Sequence, residues 1–231
     1  EDGIRDHCVT GVQTCALPIC CGIVPYTYRP SNLVNAVQWA AGLELLLMIR
    51  DPWQVFLSTD HPNGGCFWRY PEIIQMLMSA EFRRECLKKL PDRVKSRIKL
   101  PELDREYTLL EIATAMSAGP ARALGLTHKG HLGVGADADV VIYEEQTDIQ
   151  QMFSHPRYVF KGGELVLEDG EIREAPQGKE FLVRPSMDPG TNDFMRPLFE
   201  DCYTMKFEHY PVELERIEHP DLRACQPPSG S

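Results

Sequence analysis

Apolar residues cover most of the circumference of the first clear helical segment. Residues 31–50 place leucine, valine, alanine and methionine on two faces of a helix. Such a helix is typically buried between two layers of structure. Ser31 or Asn32 suits the N-cap, and Asp51-Pro52 predicts the end of the helix.

A short apolar run, Val55-Phe56-Leu57, follows this helix and breaks into the polar stretch STDHPNGG. An unalternating apolar run is typical of a strand covered on both faces. In parallel α/β folds, sites are built at the carboxyl ends of the strands. The pattern therefore predicts a helix, a buried strand and a candidate site in that order.

Helical periodicity resumes after the glycines. It predicts a helix over residues 71–90, with the Arg83-Arg84 pair on its solvated face. Residues 91–106 are charged and are predicted to form a surface excursion. Thr108 and Glu111 fit a capping box, in which each side chain bonds the other's backbone amide. The helix that they open runs to Met116, and a further helix is expected over residues 119–124.

Strand-like patterns dominate the next part of the chain, and Asp169-Gly170 supplies a turn between two of them. They predict a small β unit with strands at residues 139–143, 158–160, 164–167 and 171–173. The remainder is rich in proline with weak strand patterns, and a frayed end is expected at ACQPPSGS.

Composition narrows the class of partner. The 231 residues carry a formal net charge of −10, which argues against nucleic acid or an anionic membrane as the main partner. No apolar run approaches the roughly 18 residues that a membrane span requires. Eight cysteines are scattered without a CxxC pair, so we expect reduced thiols in a cytoplasmic protein.

Residues 1–19 do not follow the pattern of the rest. They lack the basic, apolar and small-residue order of a signal peptide. Back-translation yields strings that resemble the constant segments of a short-read sequencing adapter. We interpret these residues as an artefact and expect that the native N-terminal part is missing.

Asp60 is the strongest candidate for chemistry. A carboxylate at a strand end can ligate a metal or accept a proton from water, because the strand fixes its position. The alternative is an aspartate that caps a turn through nearby amides. His128 and His131 have a spacing that would suit a metal pair, but they follow the helix terminator Gly125, which favours a solvated connector.

Four segments, in order, carry a resemblance to a known family: STDHPNGG, SAGPARALGL, KGHLGVGADADVVIYE and FKGGELVLEDGEI. The chain resembles the C-terminal portion of the metal-dependent amidohydrolases. Through NAVQWAAGLELLL and STDHPNGG it resembles the A subunits of formylmethanofuran dehydrogenase and of the bacterial formyltransferase/hydrolase complex. The resemblance runs from about residue 22 to at least residue 210.

This resemblance implies an α/β fold: the C-terminal part of a (β/α)₈ barrel over residues 20–127, then a small β-sandwich segment over 128–182 and a C-terminal extension over 183–231. It also implies reversible hydrolysis of N-formylmethanofuran to formate and methanofuran. The implied partners are the other subunits of such a complex.

For the site, the resemblance implies a binuclear metal centre, taken as zinc, with Asp60 as ligand and base. His61 and Asn63 would contact the substrate. The family's other ligands, an HxH pair, a carboxylated lysine and two histidines, lie upstream and are absent here. We therefore expect this chain alone to be inactive and poor in metal.

Two other functions remain open at this point. One is a cyclic amidase of the dihydroorotase or hydantoinase type. The other is a scaffold that kept the fold and lost its metals, against which the retention of Asp60 argues. The upstream reading frame would separate enzyme from scaffold.

Overall fold

A computed structural model describes residues 29–59, 61, 65–176, 178, 181–184, 188, 190–204, 206–209 and 221–224. Two kinds of structure follow one another along the chain. Residues 33–123 contain helices joined by extended segments, and an antiparallel sheet follows from residue 140. The interpretation of residues 1–19 as an artefact and the expected frayed end lie outside the described residues.

Helix α1 spans Leu33–Met48, and Asn32 is its N-cap, with its side chain accepting from the amides of Val34 and Asn35. The predicted start is confirmed. The expectation of burial on both sides is wrong for the described part of the chain. Leu43 and Leu47 face the core, whereas Val34, Leu45 and Met48 are exposed, because none of the described elements covers that side.

The single helix predicted over residues 71–90 is two helices. Helix α2 spans Tyr70–Met78 and helix α3 spans Ala80–Lys88. Between them Ser79 is extended, with φ −135° and ψ 108°, and its hydroxyl accepts from the amide of Phe82. A serine in this role offers the backbone an alternative to helical hydrogen bonding, so the chain turns while both helices keep an apolar side on the core.

The predicted surface excursion is correct only in part. Most of residues 91–106 are exposed, but they form a strap that also contributes to the core. It contains helix α4, Asp92–Lys95, and a 3₁₀ turn, Leu100–Glu102. Val94 and Leu100 are fully buried. The glutamate of α1, Glu44, accepts from the amides of Lys99 and Leu100 through Oε1, at 2.5 and 2.9 Å.

Arg83 holds the strap to the helices, so its predicted place on a solvated face is wrong. The residue is 1% exposed. Its guanidinium donates to the carbonyls of Met76, Leu103 and Arg105 at 2.5, 2.8 and 3.0 Å. Burial lowers the pKa of this guanidinium. A sequence pattern alone treats such an arginine as polar, since its carbonyl partners lie far away in the chain.

The predicted capping box is confirmed. Helix α5 spans Leu109–Ala113, and Thr108 and Glu111 make both reciprocal bonds. The helical path continues through a π-helical turn, Thr114–Ala118, into helix α6, Gly119–Ala123. The predicted break at Gly119 is therefore a change of helical register. Gly125 then ends the helix with φ +70°.

The strands predicted after residue 130 form one antiparallel sheet in the order β1-β2-β3-β4. Their bounds are Val140–Ile142, Tyr158–Lys161, Glu164–Glu168 and Glu171–Ile172. Helix α7, Ile149–Ser154, lies between β1 and β2 in sequence and packs on α2, with Met152 buried. The described residues here give a single layer, so the second layer of a sandwich stays a prediction.

The C-terminal part holds a helix that the sequence pattern does not predict. Helix α8 spans Thr191–Cys202 and contains Pro197. Strand β5, Phe181–Arg184, pairs in parallel with β6, Asp221–Ala224. None of the helices in the described ranges has the length and apolar character needed to cross a membrane.

Candidate functional site

Residues 55–59, here termed the central segment, lead to the candidate aspartate. Val55 is extended, with φ −134° and ψ 141°. Val55 and Thr59 are buried, whereas Phe56 is 44% exposed. The prediction of a strand covered on both faces is therefore corrected. Among the described residues, no second strand pairs with this segment, and alternate side chains remain open to solvent.

The loop that follows the central segment returns beside its own start. A Cβ on Gly65 would lie 3.2 Å from Trp39 Cζ2 and 3.8 Å from Thr59 Cβ. A larger residue here would press on the ring of Trp39, which α1 supplies as the wall. The predicted site residues Asp60 and Asn63 lie within this loop but outside the described residues.

His61, the third predicted site residue, lies on an exposed aromatic surface formed with Phe67 and Trp68. The His61 and Phe67 ring centroids are 5.1 Å apart, and those of Phe67 and Trp68 are 5.5 Å apart in an edge-to-face arrangement. Phe67 and Trp68 are both exposed. Aromatic surfaces of this kind bind flat apolar groups through their ring faces.

Thr59 carries a buried hydroxyl at the end of the central segment. Within the described ranges, its Oγ1 has no hydrogen-bond partner, and the residue is 5% exposed. It borders a groove of about 470 Å³ between α1 and the central segment, whose walls include Trp39, Leu43, Leu46, Val55 and Leu57. A buried, unpaired hydroxyl is costly, so this end of the groove is suited to a polar group.

The described residues do not fit a metal centre by themselves. In that part of the chain, no group of three or more His, Cys, Asp or Glu side chains is placed to hold a metal ion. His131 bonds the Thr127 carbonyl and the Gly133 amide instead. His128 lies 3.8 Å from Asp137, measured from Nε2 to Oδ2. The choice between a solvated connector and a histidine metal pair stays a prediction.

A charged cluster occupies the connector and the start of the sheet. Lys129 Nζ lies 2.8 Å from Asp137 Oδ2 and 2.5 Å from Asp139 Oδ2. Asp139 also accepts from Lys161 Nζ and from the Gly162 amide, at 2.8 and 2.9 Å. Partial burial acts to raise the pKa of Asp139, but these hydrogen bonds hold that pKa well below its usual range. The cluster joins the DAD stretch to the β2–β3 turn.

Sequence reasoning misses two parts of this site. One is the aromatic surface, although CFW directly follows the glycine turn and the adjacency of two aromatic residues is a signal. The other is the contact of the central segment with the π-helical turn. The only sign of this contact in the sequence is Pro120, five residues after Ala115. Proline has no N–H that could bond to the Ala115 carbonyl within the helix.

The chain belongs to the amidohydrolase family. The family model described as "Amidohydrolase family" matches residues 9–167. This confirms the broader of the two resemblances.

Two curated relatives give the finer comparison. The chain is 42% identical over 191 residues to the A subunit of the formyltransferase/hydrolase complex Fhc of Methylorubrum extorquens, a match that covers 83% of this chain and 35% of the relative. It is 41% identical over 209 residues to "Protein FwdA" of Methanocaldococcus jannaschii, covering 84% and 36%. The chain thus spans about a third of the length of these relatives, and the resemblance to these proteins is confirmed.

A solved structure supports the comparison with the Fhc relative. The crystal structure of the formyltransferase/hydrolase complex FhcABCD from Methylorubrum extorquens, in complex with methylofuran, superposes with a TM-score of 0.69 and 39% identity. The match covers 86% of this chain and 38% of that chain.

Proposed function

We propose that this chain is the C-terminal part of an amidohydrolase subunit that interconverts N-formylmethanofuran with formate and methanofuran. The observation that carries the proposal is the STDHPNGG sequence at the end of the central segment, in a chain 42% identical to the Fhc relative. In the hydrolytic direction, the oxygen of water bonds to the formyl carbon, the C–N bond breaks, and the amine nitrogen takes up a proton.

Asp60 is the catalytic group that this chain contributes. Its carboxylate accepts the proton of the attacking water and passes it to the leaving amine. Asp60 also acts as one ligand of a binuclear metal centre, proposed to be zinc. The described residues supply no further ligand set. The proposal assigns the remaining ligands to the part of the relatives that this chain does not match.

His61 and Asn63 contact the substrate in this proposal. The support for His61 is its ring contact with Phe67, which places it on the exposed aromatic surface beside the loop. The furan ring of the substrate is flat and apolar on its faces, and an aromatic surface complements it.

The central segment is proposed as the last strand of a (β/α)₈ barrel. Two features support this: its residues alternate between buried and exposed, and a groove of about 470 Å³ runs between it and α1. A strand of such a barrel has a neighbour on both sides. The proposed partners are the other subunits of a formyltransferase/hydrolase or formylmethanofuran dehydrogenase complex, and the proposed location is the cytoplasm.

A chimera tests the proposed function. The aligned part of the Methylorubrum extorquens relative, 191 residues, is replaced by the matching residues of this chain and assembled with the other Fhc subunits. We expect formate release from the N-formyl form of methylofuran. The purified 231-residue chain is the control, with no turnover and less than stoichiometric zinc expected.

The other outcomes are informative in different ways. Turnover of dihydroorotate or hydantoin without formate release would show a cyclic amidase. An assembled chimera that turns over none of these substrates would show a scaffold. Stoichiometric zinc on the isolated chain would contradict the proposal that its remaining metal ligands lie elsewhere.

A further inference from the structure

The π-helical turn Thr114–Ala118 is an irregularity next to the candidate site. The amide of Gly119 bonds to the carbonyl of Thr114, five residues earlier, instead of the residue four earlier. The hydroxyl of Thr114 donates to the Leu110 carbonyl at 2.8 Å. Single π-helical turns are rare within helices and are frequently found at functional sites.

This register removes both the α-helical and the π-helical donor of the Ala115 carbonyl. In an α-helix it would accept from Gly119, but that amide is already bonded to Thr114. In the π register the donor would be residue 120, which is proline and has no N–H. The amide of Leu57 donates to the Ala115 carbonyl instead, at 3.2 Å.

Gly119 makes a second contact with the central segment. A Cβ at this position would lie 2.8 Å from Phe56 Cε1 and 3.2 Å from Phe56 Cδ1. Real Cβ atoms essentially never make contacts as short as 2.8 Å, so any larger residue would force the phenyl ring to move. Two successive residues, Phe56 and Leu57, are thus held by the helix, while Val55 and Thr59 are buried on the other side.

We propose that the π-helical turn is the positioning element of the site, with Gly119 and Pro120 as positioning residues. Together they hold residues 56 and 57 and so set the direction in which the chain reaches Thr59, the residue that precedes Asp60 in the sequence. The proposal rests on the proposed function, because it assigns a role to residues that act through the central segment on Asp60. Neither residue needs to touch the substrate for this role.

The first test is backbone hydrogen exchange in the 231-residue chain. Pro120→Ala supplies the missing N–H, which competes with Leu57 for the Ala115 carbonyl. We expect the Leu57 amide to exchange about three- to tenfold faster, as for the loss of one backbone hydrogen bond. Pro101→Ala is the matched control, because Pro101 is also the second residue of a helical element and is exposed. Unchanged Leu57 exchange in Pro120→Ala would overturn the proposal.

The second test uses the chimeric FhcABCD complex. Pro120→Ala is expected to lower kcat for deformylation about tenfold per assembled complex while KM stays within about twofold, since substrate contacts are intact and the base is misdirected. Pro101→Ala is expected to match the parent chimera. A merely structural role would change the yield of complex and leave kcat per complex unchanged, which would refute the positioning role.

The two proposals fail in different ways. A parent chimera that assembles but releases no formate refutes the proposed function. An active parent chimera whose Pro120→Ala variant keeps its full kcat refutes the positioning role alone. Gly119→Ala is a harsher second variant, because its Cβ would also lie 2.9 Å from the Thr114 carbonyl oxygen, and it is expected to lower kcat further.

Discussion

Replacement of Arg83 by methionine is expected to lower the free energy of unfolding more than the same replacement of the neighbouring Arg84. Arg83 is 1% exposed and donates to three carbonyls from two separate parts of the chain. Methionine has a similar length and helix propensity. The change therefore removes the charge and the donors while keeping helix α3 and most of the packing.

The magnitude follows from the three carbonyls. A hydrogen bond from a charged donor contributes about 1.5–3 kcal/mol, and a buried acceptor left unpaired costs about 1–3 kcal/mol. The gain from not burying a guanidinium offsets several kcal/mol of this. We expect a net loss of about 3 kcal/mol in the free energy of unfolding.

Arg84 provides the control within the same helix turn. Its side chain is half exposed and pairs with the exposed Asp104. Arg84→Met is therefore expected to cost at most about 1 kcal/mol, the upper range for a surface ion pair. Urea denaturation followed by circular dichroism measures both variants. Equal unfolding free energies for Arg83→Met and Arg84→Met would refute the assignment of Arg83 as the tie between strap and helices.

Three further changes test other parts of the structure. Asp139→Asn is expected to lose about 1 kcal/mol at neutral pH, a value discounted for solvent contact. Because the folded-state pKa is depressed, the difference from wild type should start to shrink as pH falls below the unfolded-state pKa of about 4, and it should disappear only as pH falls through the lower folded-state pKa. A constant difference in an acid titration of stability would contradict this. Thr108→Ala is expected to cost about 1 kcal/mol by thermal unfolding, since it removes the N-cap of α5, whereas no loss would show that the box is dispensable. Tyr107→Phe removes the hydrogen bond from the buried phenol to the Leu46 carbonyl and is expected to cost about 1–2 kcal/mol in urea; an unchanged midpoint would mean that this bond contributes nothing.

The features that can be predicted correctly from the sequence depend on neighbours within a few residues. Asn32 caps amides two and three positions ahead, and Thr108 and Glu111 cap each other. The strands of the antiparallel sheet follow local alternation and the Asp169-Gly170 turn. Local chemistry of this kind is visible in the chain without knowledge of the fold.

The features that sequence patterns miss depend on distant partners. The burial of Arg83 requires carbonyls at residues 103 and 105. The break at Ser79 is stabilised from outside the helices, since Glu106 accepts from the Ala80 amide at 2.6 Å. The parallel pairing of β5 with β6 joins residues about forty positions apart in the chain.

The candidate site is predictable only in part for the same reason. Asp60 stands out by its place after an apolar run, and its loop stands out as a motif, both of which are local signals. The hydrogen bond from the Leu57 amide to the Ala115 carbonyl joins residues 58 positions apart in the sequence. It depends on a proline, a glycine and a change of helical register. The periodicity of apolar residues along the sequence does not indicate such a long-range contact.

The most direct test of the central claim is the kcat for formate release by the chimeric FhcABCD complex with Asp60→Asn. Asparagine keeps the size of the side chain and removes its ability to accept the proton. We expect kcat to fall at least about a hundredfold, the lower range for loss of a general base, in a complex that still assembles. A kcat within a few-fold of the parent chimera would contradict the claim that this carboxylate performs the chemistry.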